Sequence, residues 1–261
     1  MNLGLEGRTA LVLGASGGLG SAIAIALGRE GARVALAGRN VESLEKTAHS
    51  VEVLGGASLL LPFDLADLSA IDGVVSKIED TFGGVDILIN NTGGPAPSPA
   101  AGQPVETWEK SFRAMVLSVI ALTDRVLPGM REKTWGRIIT STSSGIIAPI
   151  PNLAMSNTLR SALTGWSKTL SREVAKDGIT VNIVVPGRIA TERVAFLDRT
   201  AATRQGVSVE EVEEKSRASI PMGRYGKPEE YADMVAFLAS ERASYVTGSI
   251  IRVDGGQIAS I

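Results

Sequence analysis

Ser156 and Arg160 stand four residues apart in AMSNTLRSALTGWSK, residues 154–168. Apolar residues recur through this stretch at helical spacing, so it reads as a helix with both polar groups on one face. Their chemistry is restricted. A serine hydroxyl is a weak acid that needs a partner base, and an arginine stays charged and cannot shuttle a proton. The pair fits a catalytic site, the remains of one, or a polar patch on a helix.

A second group of residues speaks for a bound nucleotide. LVLGASGGLGSAIAIAL places Gly14, Gly18 and Gly20 between a strand and a helix. Glycines there allow a tight turn and let a diphosphate approach the backbone, where the free N–H groups and dipole of the helix start favour its charge. The next strand ends in ALAGRN. A carboxylate at that point would bind the adenosine ribose hydroxyls of NAD, but the residues are Gly38 and Arg39. Arg39 suits a 2′-phosphate, which points to NADP(H) in preference to NAD(H). Asp64, in LPFDLADL after the third strand, lies at the edge where such sheets bind ligands and is placed to accept from the adenine amino group.

These residues need a frame to hold them. Strand candidates are RTALVLG, ARVALAG, ASLLLPF, VDILIN, GRIITST, ITVNIVV and SIIRVDG, with amphipathic helical stretches between most of them. The alternation predicts an α/β fold, a Rossmann-like doubly wound parallel sheet with helices on both faces. The strands are near-continuous apolar runs, as double coverage requires. Residues 188–220 break the rhythm with a strandless excursion, read as a lid or as a surface embellishment. Within it Ser208 and Glu211 form a capping-box signature for a short helix. No linker divides the chain, so 1–261 reads as one domain.

Composition removes several function classes. There is no cysteine, which excludes disulfides, thiol nucleophiles and cysteine metal sites. The one histidine, His49, sits in the polar stretch LEKTAHSVE and reads as a solvated residue, so no metal site is expected. A net charge of −2 gives no reason to expect nucleic acid or an anionic membrane as partner. MNLGLEGRTALVLG enters a strand without a basic-then-apolar leader, and no apolar run reaches transmembrane length. A cytoplasmic location is the expectation.

With these motifs in view, the chain resembles the short-chain dehydrogenase/reductase family over essentially its whole length. LGASGGLG matches the family's TGxxxGxG with Leu13 for Thr, and NNTGG matches NNAG with Thr92 for Ala. PGRIAT matches PGxxxT, and the block from Ile220 to Gly256 follows the family in nearly every position. The 3-oxoacyl-(acyl carrier protein) reductase-like branch is the nearest in appearance. The resemblance implies a seven-stranded sheet, a homotetramer and a substrate lid at about 188–220. It implies cofactor contacts at Gly14, Ser16, Gly18, Leu19, Gly20, Arg39, Asp64, Leu65, Asn91, Thr92, Gly93, Pro186, Gly187, Ile189 and Thr191.

The family's chemistry uses an Asn, a Ser, a Tyr and a Lys. The resemblance puts the Ser at Ser143, the Tyr position at Ser156, the Lys position at Arg160 and the Asn position at Met115. Three of the four are replaced, while Ser143, Ser156 and Arg160 remain the candidate catalytic set. Any relocated phenol must be Tyr225, Tyr231 or Tyr245, the only tyrosines. Arg160 is still suited to hold ribose hydroxyls or steady an alkoxide, and Met115 reads as core.

The leading expectation is an NADP(H)-dependent oxidoreductase that reduces a small-molecule carbonyl, such as a 3-oxoacyl thioester, through an altered proton relay. The mixed charge of RIATERVAFLDRTAATR fits a thioester's phosphate arm or a solvated loop. The alternative is a cofactor-binding member without redox activity, acting as a sensor or an inactive oligomer partner. A third reading is non-redox elimination or dehalogenation on the same fold.

Overall fold

The β-branched and leucine-rich runs become seven strands in the computed structural model, which describes residues 2–261. They are β1 (Thr9–Leu13), β2 (Arg33–Gly38), β3 (Ser58–Pro62), β4 (Ile87–Asn90), β5 (Gly136–Ser141), β6 (Ile179–Pro186) and β7 (Ile250–Val253). All pair in parallel, in the order β3-β2-β1-β4-β5-β6-β7. The order reverses between β1 and β4. In such sheets a crevice opens at that switch point, beyond the carboxyl ends of the strands. The glycine turn follows β1 and the NNTGG segment follows β4, so both line it.

Helices α1 (Gly18–Arg29), α2 (Val41–Val53) and α3 (Ile71–Phe82) follow the first three strands. Alternation along β1 supplies both faces of the core. Ala10 and Val12 pack with Ile23 and Leu27 of α1 and Val51 of α2. Leu11 and Leu13 pack on the other face with Val75 and Ile78 of α3.

The long amphipathic stretch after β4 is one helical run with a fault in it. It comprises α4 (Val105–Phe112), a π-helical turn (Arg113–Leu117) and α5 (Ser118–Glu132). Helix α6 (Ala154–Val174) follows β5 and carries the opening serine–arginine pair. A small apolar cluster of Met115, Val119, Met155, Leu159 and Leu163 binds the π-turn to α6.

Two helices fill the excursion after β6, α7 (Glu192–Gln205) and α8 (Val209–Ala218), before α9 (Pro228–Ala239) returns to the sheet. Ser208 caps α8 as its sequence signature predicts, accepting from Glu211 N at 3.2 Å. Helix α7 has no such signature in sequence beyond Thr191, whose Oγ1 accepts from Val194 N. Its mixed charges give it no clean apolar stripe. No described helix is long and apolar enough to cross a membrane.

Candidate active site

The glycine turn is set by close approach. Gly14 and Gly18 adopt φ of 62° and 54°, the left-handed region that costs glycine least. A Cβ on Gly14 would lie 2.7 Å from the Asn91 carbonyl oxygen and 2.9 Å from its side-chain nitrogen. A Cβ on Gly20 would run into the Gly14 carbonyl and stand 2.9 Å from Asn91 Nδ2. Asn91 in turn donates from Nδ2 to the Leu13 carbonyl at 3.2 Å. The residue after β4 therefore braces the turn after β1 across the switch point.

Helix α1 opens at Gly17 with no side-chain cap and no acidic residue in its first turn. Asn40 caps α2, accepting from Ser43 N at 2.9 Å, so the bare α1 start is not the rule on this edge. Its unused N–H groups fit a bound diphosphate. Ser16 lies at the end of β2, its Oγ 3.0 Å from where a Gly38 Cβ would be. Leu19 and Leu65 are half-buried beside the core. Arg39 is exposed and makes no hydrogen bond or ion pair among the described residues. Asp64 is exposed, and one of its oxygens accepts from Ala66 N at 2.9 Å.

The other side of the crevice is built by the chain after β6. Gly187 donates its N–H to the Val253 carbonyl at 2.9 Å and packs against Asp254, following Pro186 at the strand end. Ile189 is buried and pairs with Gly226 in an isolated bridge. Thr191 carbons lie 3.7 Å from the Cβ position of Gly18, so PGRIAT faces the glycine turn directly. Gly93 is open, with no neighbour within 4 Å of its Cβ position. Thr92 is buried, and its Oγ1 has no partner. This chain's residues thus form a cradle that fits a dinucleotide.

At the inner end, Ser143 begins a short 3-10 turn after β5 and its Oγ accepts from Gly145 N at 3.1 Å. Asn157, next to Ser156 on α6, puts its side-chain oxygen, buried and without a partner, where a Cβ on Gly145 would be, and donates from Nδ2 to the Ile150 carbonyl at 2.9 Å. The Ser143 turn therefore packs closely on the first turn of α6, and only glycine at 145 permits it. Nothing in the sequence singles Asn157 out.

Arg160, left by the sequence either to hold ribose hydroxyls or to steady an alkoxide, is bound to the backbone around it. Its Nη1 donates to the Ser141 carbonyl at 3.1 Å. Its Nη2 donates to the carbonyls of Thr92 at 3.0 Å and Gly93 at 3.4 Å. Both terminal nitrogens are committed to backbone, so the guanidinium clamps the ends of β4 and β5 to α6. Burial pushes its pKa down to about 10, partly offset by the nearby Tyr231. At neutral pH it remains a fixed cation.

No phenol has moved into the place of the missing tyrosine. Tyr231 is fully buried on α9, its hydroxyl 2.8 Å from Ser141 Oγ and 3.2 Å from the Val184 carbonyl. Burial raises its pKa, so it is no proton source at neutral pH. Tyr225 donates to Asp198 at 2.9 Å, beside Arg188, which is ion-paired with Asp198. Tyr245 is fully exposed. Met115 is buried at the π-turn against α6, as its apolar character implies. His49 is exposed on α2, and no cluster that could hold a metal occurs among the described residues.

Comparison with known proteins places this geometry. The family described as enoyl-(acyl carrier protein) reductase matches residues 14–257. The NADPH-dependent reductase BacG of Bacillus subtilis is 34% identical over 256 residues, covering 97% of this chain and 99% of the relative. The 3-oxoacyl-[acyl-carrier-protein] reductase FabG of Escherichia coli is 37% identical over 257 residues, covering 97% and 98%. Among solved structures, L-sorbose reductase from Gluconobacter frateurii, complexed with NADPH and L-sorbose, superposes with a TM-score of 0.94. It is 33% identical, and the match covers 100% of both chains.

Proposed function

The chain belongs to the short-chain dehydrogenase/reductase family, in its 3-oxoacyl-(acyl carrier protein) reductase-like branch, and on that premise we propose that it is an NADP(H)-dependent oxidoreductase reducing a carbonyl to a hydroxyl through an altered proton relay. One observation carries this reading: the glycine turn is sterically complete, with a bare helix start behind it and an unpartnered arginine at its rim. The named NADPH dependence of BacG and the NADPH complex of L-sorbose reductase support it.

Gly14, Ser16, Gly18, Leu19 and Gly20 would hold the diphosphate, with Arg39 on the 2′-phosphate and Asp64 and Leu65 around the adenine. Asn91, Thr92, Gly93, Pro186, Gly187, Ile189 and Thr191 would hold the nicotinamide end. NADPH, when bound, supplies the hydride. Ser143 donates to the carbonyl oxygen, and Arg160 raises the local potential without touching the proton inventory. Ser156 is too weak an acid to replace a phenol by itself. The proton therefore reaches the product oxygen from water between Ser143 and Ser156. Helices α7 and α8 act as the lid of the single domain, pinned by the Arg188–Asp198–Tyr225 contacts.

A homotetramer is the assembly that the family resemblance implies, and it would cover some of the exposed apolar side chains, among them Val105, Phe112 and Leu117 of the α4–α5 run and Ile250 of edge strand β7.

Purified protein is expected to oxidise NADPH with at least one member of a panel of ketones and 3-oxoacyl thioesters. Ser143→Ala should lower that rate by about 10²–10³-fold, the usual cost of an oxyanion donor. Binding of NADPH without turnover across the panel would replace this reading by the cofactor-binding, non-redox one. The commitment of Arg160 to backbone carbonyls is the observation that favours that second reading.

Arg39→Ala is expected to erase most of the preference for NADPH over NADH, a change of about tenfold or more. Titration of both cofactors, followed by fluorescence, measures it. Equal affinities in the parent protein would refute the role given to Arg39.

A further inference from the structure

Two cations converge on one short segment of the site without an acid to balance them. Arg160, from α6, bonds to the carbonyls of Thr92 and Gly93. Arg193, from α7, donates from Nη2 to the Pro95 carbonyl at 2.7 Å and lies over Gly94, its Nη2 3.0 Å from that residue's Cβ position. Gly93 and Pro95 are two residues apart, so their Cα atoms stand at most about 7 Å from each other. Neither guanidinium has a carboxylate within ion-pair distance among the described residues.

Arg193 has no acid to balance it, and the one favourable group facing its guanidinium besides the Pro95 carbonyl is the Phe196 ring, 5.6 Å from its Cζ. The arginine is half-buried, and burial lowers its pKa. It sits in the first turn of α7, where the helix dipole opposes a cation. The adjacent acid, Glu192, is 97% exposed and approaches only Arg199. Arg188, the other lid arginine near the site, is already neutralised by Asp198. Arg193 uses one terminal nitrogen on Pro95, while its Nε and Nη1 have no partner and are not sealed from solvent. A half-buried cation with free N–H groups, beside a buried second cation, is a receptor for an anion.

We propose that Arg193 is the specificity-determining residue of the site and receives a carboxylate on the substrate, which makes the substrate class an oxo-carboxylic acid. This rests on the assignment of the site as a carbonyl-reducing one. The segment that Arg193 meets also accepts from Arg160 on the catalytic helix, so an anion on Arg193 would sit on the same side of the crevice as the Ser156–Arg160 face. The phosphate of a phosphopantetheine thioester is held far from its carbonyl by a long arm and does not fit that placement.

The test uses binding, so that a failure of redox activity does not interfere. Protein saturated with NADP+ is titrated by calorimetry with acetoacetate and 3-oxohexanoate and with their methyl esters. The acids are expected to bind at least about tenfold more tightly than the esters, the size of one charge-assisted hydrogen bond. In Arg193→Met the acid-to-ester ratio, taken within that variant at saturating NADP+, should fall to about one, and Arg193→Lys should restore part of it. Equal binding of acid and ester, no binding of either, or a preference that survives Arg193→Met would each overturn the proposal. S-acetoacetylpantetheine with and without its 4′-phosphate forms a further arm. A phosphate contribution lost in Arg193→Met would assign the anion to the arm and overturn the carboxylate. Absence of NADP+ binding would instead count against the cofactor assignment, and the same titrations on cofactor-free protein would still test Arg193.

Discussion

Replacing Ser156 by tyrosine together with Arg160 by lysine is expected to raise kcat/KM for carbonyl reduction by about 10²–10⁴-fold, the contribution of a positioned general acid. The backbone that would receive the pair is in place. Ser156 and Arg160 are both buried on the same face of α6, and the Ser143 turn packs closely on that helix where Asn157 meets Gly145. A phenol with an ordinary pKa near 10 is brought toward neutrality by an adjacent ammonium, which a serine hydroxyl cannot imitate. Neither single substitution should recover much, because acid and cation act as a unit. The pH profile gives a second reading. In the parent, Arg160 with its pKa near 10 and Tyr231 with its raised pKa leave the site without a shifted group that titrates near neutrality. Its reduction rate should therefore be flat from about pH 6 to 9. The double variant should lose rate as pH rises through the new tyrosine's pKa, because the acid form is consumed. An increase below threefold, in a variant that folds and binds NADPH normally, would show that proton supply does not limit the parent.

Gly20→Ala is expected to weaken NADPH binding by at least about 100-fold, which corresponds to about 2.7 kcal/mol. The added methyl has no place to go. Its position is occupied by the Gly14 carbonyl, with Asn91 Nδ2 at 2.9 Å, and both belong to the brace across the switch point. Relief requires the turn to open, which displaces the N–H groups that would meet the diphosphate. Gly17→Ala is the control. Its Cβ position has no neighbour within 4 Å, so Tm should stay within about 2 °C of the parent. Near-normal NADPH affinity in Gly20→Ala would remove the glycine turn from the cofactor site.

Elements with a local cause were readable in the chain. Six of the seven strands lie inside their apolar runs and β6 overruns its own by one residue, to Pro186, while the Ser208 cap starts α8 where its hydroxyl can reach Glu211 N. The glycine turn was legible because only glycine relieves the crowding around Gly14 and Gly20. Helix α7 was not, since its charges are shared between solvent, Asp198 and the loop after β4 and leave no periodic stripe. Side-chain destinations were the least legible. Arg160 is the clearest case. Its position on the helix face follows from spacing, whereas its partners are three carbonyls on two distant segments. The pairing of Tyr231 with Ser141 joins residues 90 apart in sequence and carries no signature at either end. Arg193 looked like one charge among several, and only the neutralisation of Arg188 by Asp198 sets it apart.

The π-helical turn between α4 and α5 has a consequence for how this chain can vary. It accommodates one residue more than an uninterrupted α-helix would need over the same rise. Downstream, Leu122, Val126 and Met130 are locked in the core, and the turn itself is tied to α6 through Met115 and Val116. Loss of one residue here would let the turn revert to regular α-helix and leave those side chains in register, whereas a further insertion would rotate everything beyond it by about 100° and set them against the wrong face. The run can therefore shorten by a residue at this turn without repacking its core, and it cannot lengthen by one on the same terms.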